Sequence, residues 1–125
     1  MPTASHDTAS HVADYGAVED RTEELGGYTL NFTSIREDSD LTPLLKGLPG
    51  DSCQCPHWGY LFTGRLTVRY ADHEETIEAG DAFYMPPGHV PAAQAGSRFV
   101  QFSPTEAYGI TLAALQKNMQ AMHGA

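Results

Sequence analysis

Four side chains in the middle of this 125-residue chain carry the nitrogen and sulfur donors that transition metals take up: Cys53, Cys55, His57 and His89. Cys53, Cys55 and His57, with Asp51 before them, occupy alternate positions, and alternate residues of a strand face one side of a sheet. Three or four such donors meeting at one point suit Zn²⁺, or Fe²⁺ where a coordination position stays open. Thiolate selects against magnesium and calcium. Alternate residues on a regular strand are about 6.6 Å apart, whereas each sulfur must lie about 2.3 Å from a zinc ion. One cysteine is therefore expected to bind, and the other to sit behind it or in the core. The same residues also admit a metal-free reading. A buried free Cys is a small hydrophobe, an inward His closes a hydrogen-bond network, and His57 or His89 would then serve as an acid–base group.

Other candidates carry less. Asp51 follows Pro49-Gly50 and reads as a turn residue as readily as a ligand. Trp58 and Tyr60 have the opposite parity to His57 and are expected outside the sheet, against the helix or a partner subunit. Tyr84 and Phe102 are candidates for lining a pocket, and Gly59 for leaving room in one. His6, His11, His73 and His123 fall in flanking segments or a turn and are expected to be solvated. No serine nucleophile elbow and no glycine-rich phosphate loop is found.

Composition removes whole classes of partner. The net charge is −9, and seven Lys and Arg are scattered rather than clustered, so neither nucleic acid nor an anionic membrane is expected as a partner. No apolar run is long enough for a membrane-spanning helix, and the first residues lack the basic and apolar regions of a secretory signal. A Cys53–Cys55 bridge would be strained. Free thiols point to a reducing cytoplasm.

The elements that must hold these residues are short. Residues 1–26 show no sustained period and are expected to form an arm, mobile or packed on a partner subunit. From 27 to 125 one domain is expected. Tyr28, Leu30 and Phe32 alternate with polar residues, as a half-buried strand does. Leu41–Lys46, Ser52–Thr63, Leu66–Tyr70, Glu75–Ile77, Ala82–Met85, His89–Gln94 and Arg98–Ser103 are read as further strands, divided by Gly and Pro turns. Such a series indicates an all-β sandwich or barrel. Ser103 and Glu106 bracket Pro104 as a capping box, so a C-terminal helix is predicted over residues 104–122. Its apolar stripe runs Tyr108, Leu112, Leu115, Met119, Met122.

The stretch from Asp51 to Gln101 resembles the cupin superfamily, in particular small stand-alone bacterial cupins. Gly80, Pro86 and Gly88 match the Gly, five residues, Pro-x-Gly spacing of the second cupin motif, and His89 stands two residues before that motif's His position, which Pro91 occupies. Gly64 matches the closing Gly of the first motif. Six residues intervene between it and His57, so His57 takes the place of the metal-binding Glu, with Asp51 and Cys53 in those of His-x-His, a register that favours Cys53 as the cysteine ligand. The resemblance implies a jelly-roll β-barrel, closed here by the C-terminal helix. Cys53, Cys55 and His57 would point into it and His89 would approach from a separate hairpin. It implies pairing as a homodimer. The expected function is a metal-binding cupin enzyme acting on a small organic molecule, by oxygenase, isomerase or lyase chemistry. The alternatives are a non-catalytic binding or sensor protein and a metal-free acid–base enzyme.

Overall fold

The computed structural model describes residues 3–123, without the side chain of His123, whose expected solvation lies outside the described residues. Ten strands and one helix follow in order: β1 His11–Asp14, β2 Val18–Leu25, β3 Tyr28–Ile35, β4 Ser39–Asp40, β5 His57–Thr63, β6 Arg65–Arg69, β7 Glu74–Glu78, β8 Ala82–Met85, β9 Val90–Ala93, β10 Arg98–Pro104 and α1 Thr105–His123. All strand pairs are antiparallel. They form a six-stranded sheet, β1-β2-β3-β10-β5-β8, and a four-stranded sheet, β4-β9-β6-β7. Between β5 and β10 the chain crosses repeatedly from one sheet to the other, which is the jelly-roll arrangement. The sheets remain separate hydrogen-bonded layers packed face to face.

The core between the layers is supplied by alternating residues of both. Leu61 of β5, Leu66 and Val68 of β6, Ile77 of β7 and Met85 of β8 form one buried cluster, with Phe83 and Phe99 packed on it. Each fully buried side chain of this size stabilises the fold by roughly 1.5–3 kcal/mol. A second cluster, Leu45, Cys53 and Cys55, lies beneath α1 and is covered by its Ala107, Tyr108 and Leu115. The expected stripe is thus used where Tyr108 and Leu115 fall, while Met122 is exposed.

Four expectations are corrected. Residues 11–25, expected within an arm, form β1 and β2 of the larger sheet. The strand Val18–Leu25 has no hydrophobic alternation; it forms because the Gly26-Gly27 turn, with φ of +58° and +84°, folds it back on β3 in register. Leu41–Lys46 is not a strand, since Pro43 starts a 3-10 turn at Thr42–Leu44. The strand expected from Ser52 begins only at His57. The capping box does not form as read: Pro104 ends β10, α1 starts at Thr105, and the Ser103 hydroxyl is engaged elsewhere.

Candidate metal centre

The segment between the 3-10 turn at Pro49–Asp51 and β5 is irregular, and two backbone bonds hold it in place. Cys53 N–H donates to the His89 carbonyl at 2.9 Å, and Gly88 N–H donates to the Cys53 carbonyl at 2.8 Å. These bonds make an isolated antiparallel bridge between Cys53 and His89. They stitch two segments 36 positions apart in sequence (89 minus 53) into one site. His57 enters as the first residue of β5, on its inward parity with Leu61.

One donor atom from each of Cys53, His57 and His89 lies within 4.8 Å of the other two. All three residues are buried, at 3%, 6% and 0% exposure. Cys53 Sγ is 3.6 Å from His57 Nε2 and 3.4 Å from the Thr111 hydroxyl of α1. The two imidazoles meet edge to face with centroids 4.9 Å apart. His57 Nδ1 is 2.6 Å from Ser103 Oγ. His89 Nδ1–H donates to the Pro86 carbonyl at 2.7 Å, which leaves the lone pair of neutral His89 on Nε2. That Nε2 has no protein partner, and a buried polar atom without a partner costs about 1–3 kcal/mol.

Burial governs the electrostatics. It holds the His57 imidazole down at about 3, with His89 adding repulsion, and lowers His89 as well. It pushes the Cys53 thiol up, against the Thr111 and backbone hydrogen bonds. Without a cation, all three donors are neutral near pH 7, and no thiolate–imidazolium pair forms. The donor set nevertheless fits a metal. It offers one sulfur and two imidazole nitrogens, each His held by an outer partner at Nδ1 in the manner of metal-ligating histidines, with an orphaned nitrogen among them.

Cys55 does not join this set. Its Sγ faces the Pro56 carbonyl at 3.5 Å, and burial with repulsion from Cys53 raises its thiol to about 11. The shared strand parity that would have aligned it is absent, because residues 51–56 are not a strand. Asp51 is a turn residue with φ +51°, its carboxylate accepting from Gly47 N–H at 2.9 Å. Trp58 and Tyr60 face outward as expected, but so do Tyr84 and Phe102, which are exposed and line no interior pocket. The space inside Gly59 is filled by the Phe83 ring. His6 and His73 are not simply solvated: His6 Nε2 lies 3.3 Å from Glu19, and His73 stacks on Tyr70 between Asp72 and Glu75. Sequence reasoning missed Ser103, which it assigned to helix capping, and Thr111. Thr111 could have been found, because it interrupts the apolar stripe three residues after Tyr108.

No family model matches the sequence, and comparison with curated proteins finds no match. Solved structures do match. A protein of unknown function from Rhizobium leguminosarum bv. viciae aligns at TM-score 0.61 and 20% identity, over 82% of this chain and 95% of its own. An RmlC-like cupin from Shewanella frigidimarina aligns at TM-score 0.55 and 15% identity, over 81% and 88%. The KdgF structure from Halomonas aligns at TM-score 0.52 and 17% identity, over 75% and 86%. At these identities the likeness concerns the fold. The chain has the fold of a small single-domain cupin, with a His/Cys cluster inside it that could hold a metal.

Proposed function

We propose that the protein binds a divalent transition metal, zinc or ferrous iron, through Cys53, His57 and His89, and that it is an enzyme acting on a small organic molecule in the fold's interior. The orphaned Nε2 of His89 carries the metal reading, since a buried lone pair with no donor is satisfied by a cation. Bound there, the metal would supply a Lewis acid to a substrate oxygen or, as ferrous iron, a reductant for dioxygen. The chain's own groups hold and shield it. Pro86 and Ser103 fix the two imidazoles, Cys53 gives up its proton to become the thiolate ligand, and Thr111 with the underside of α1 keeps water out. The reaction class stays at oxygenase, isomerase or lyase, because one cupin scaffold hosts many reactions. Two free buried thiols support a cytoplasmic location. No helix among the described residues is long and apolar enough to cross a membrane.

Calorimetric titration of zinc, and of ferrous iron under argon, into chelator-treated protein tests the site. His57→Ala, His89→Ala and Cys53→Ser should each weaken binding at least about a hundredfold, Ser103→Ala by about 10- to 100-fold as an outer partner, and Cys55→Ser hardly at all. Undetectable binding by the wild type, or equal losses for the two cysteines, overturns this assignment.

A further inference from the structure

The three donors are closed off from solvent, and their cover is not uniform. Cys53, His57 and His89 are all buried, His89 completely, so no metal ion or small molecule reaches them while every element stays in place. On the sheet side the walls are backbone-paired. β5, which carries His57, has β10 on one edge and β8 on the other, and Cys53 is bridged to His89. Segment 41–48 is anchored as well, since Leu45 is fully buried and Leu41 N–H donates to the Pro91 carbonyl at 3.1 Å. Opening any of these breaks backbone hydrogen bonds or empties the core.

α1 is the exception. It joins no strand pairing and rests on the second core cluster through Ala107, Tyr108 and Leu115, each only half-buried. Thr111 is the one buried residue among its described side chains. Much of its remaining attachment is by separate hydrogen bonds. At its start Thr105 N–H donates to the Gly27 carbonyl at 3.0 Å, and the Thr105 and Thr29 hydroxyls are 3.0 Å apart. Farther along, Tyr108 accepts from Asn31, Thr111 meets Cys53, and Asn118 donates to the Leu44 and Lys46 carbonyls. Gly109 adds an independent sign. It lies inside α1 and exposed, with nothing within 4 Å of the place a Cβ would take. No packing therefore demands this residue, which weakens a helix more than any other except proline. Few buried apolar contacts and an attachment made of separable polar bonds mark an element of low local stability.

We propose that α1 is a lid: the cluster is reached when α1 lifts off the sandwich, turning about Thr105 and releasing Tyr108, Thr111 and Asn118, while both sheets stay paired. A helix of this length is marginal in water on its own, so lifting is accompanied by fraying, and Gly109 lowers the cost of opening. Docked, α1 excludes water from the donors. Lifted, it bares Cys53, because Thr111 lies against that sulfur. The lid supplies the entry path for the metal and substrate proposed above and rests on that reading for its role, but its motion requires neither.

Alkylation of Cys53 by iodoacetamide in reduced, chelator-treated protein reads the opening, with mass spectrometry locating the label. Where closing outpaces reaction, the labelling rate follows the population of the open form. Cys53 should react far more slowly than free cysteine, yet with a shallower urea dependence than global unfolding, because opening exposes only part of the buried surface. Asn118→Ala removes two side-chain bonds that only the docked helix makes, and it should speed labelling by about fivefold or more. Gly109→Ala adds a methyl that meets no neighbour, and it should slow labelling by about fivefold. Labelling at the free-thiol rate, a urea dependence equal to that of global unfolding, or a rate that either variant fails to move in its stated direction overturns the lid. Zinc calorimetry on the same protein is read separately: opening without zinc binding removes only the metal, and zinc binding without these rate changes removes only the lid.

Discussion

At the scale of single residues, the site combines donors that burial keeps uncharged. His57 and His89 both have their imidazoles lowered in the folded chain, His57 to about 3. A histidine with a depressed folded value binds fewer protons when folded than when unfolded, so stability rises with pH between the folded value and the unfolded value near 6.5. The contribution is fully present above about pH 6.5 and is lost as pH falls toward 3. In that window His57 should cost about 1.4 kcal/mol of stability per pH unit, and His89, lowered by its burial, adds in the same direction. Urea unfolding of chelator-treated protein between pH 7 and 4 should show this fall, and it should shrink in His57→Ala. A flat profile would mean that the imidazoles take up protons without unfolding. Ser103 shows the other side of residue chemistry. A hydroxyl that could cap a helix is spent on orienting an imidazole, because β10 extends through Pro104 and carries Ser103 inward.

At the scale of elements, the site depends on joints rather than on strand interiors. The irregular segment at Cys53 is bridged to His89, and α1 lies across the Leu45, Cys53 and Cys55 cluster. Asn118 ties that helix down, its Nδ2 donating to the carbonyls of Leu44 at 2.7 Å and Lys46 at 2.8 Å. The joint between β5 and β6 is stricter still. Gly64 has φ +87°, and a Cβ there would collide with the Ser97 hydroxyl and lie 2.5 Å from its Cα. Gly64→Ala combines a left-handed conformation with overlap against backbone, so it should destabilise by about 3 kcal/mol or more. Chemical denaturation would read this as a lowered midpoint with an unchanged slope. A loss below about 1 kcal/mol would show that the joint relaxes.

At the scale of the whole molecule, the outer face of the larger sheet is aromatic. Trp58, 44% exposed, stacks on Tyr84 with centroids 5.0 Å apart and meets Tyr28 edge to face at 6.4 Å, while Tyr60 and Phe62 pair along the same strand. Phe102 stands opposite Trp58 on β10. We propose that this face pairs with a second copy of the chain. Contiguous exposed apolar surface marks interaction sites, and covering it contributes roughly 25 cal/mol per Å². Light scattering at micromolar concentration should give the mass of two chains, and Trp58→Asp should give one. A monomer mass for the wild type would contradict the pairing.

Much of this was legible in the linear sequence, because it rests on local rules. Turn residues at Gly64, Gly80 and Pro86–Gly88 set the rhythm of short strands, and the apolar stripe announced the C-terminal helix. The residue types at 53, 57 and 89 named a soft-metal chemistry before any geometry was known. What tertiary structure alone decided was pairing over distance. Val18–Leu25 carries almost no apolar pattern and is a strand because β3 offers it a partner. Strand parity put Cys55 beside Cys53, whereas the chain bends before Pro56 and turns its sulfur away. Asp20, Asn31 and Tyr108 lie on three different elements, and no spacing rule connects them. Only the register of β2 on β3 and the docking of α1 bring a carboxylate, an amide and a phenol to one point.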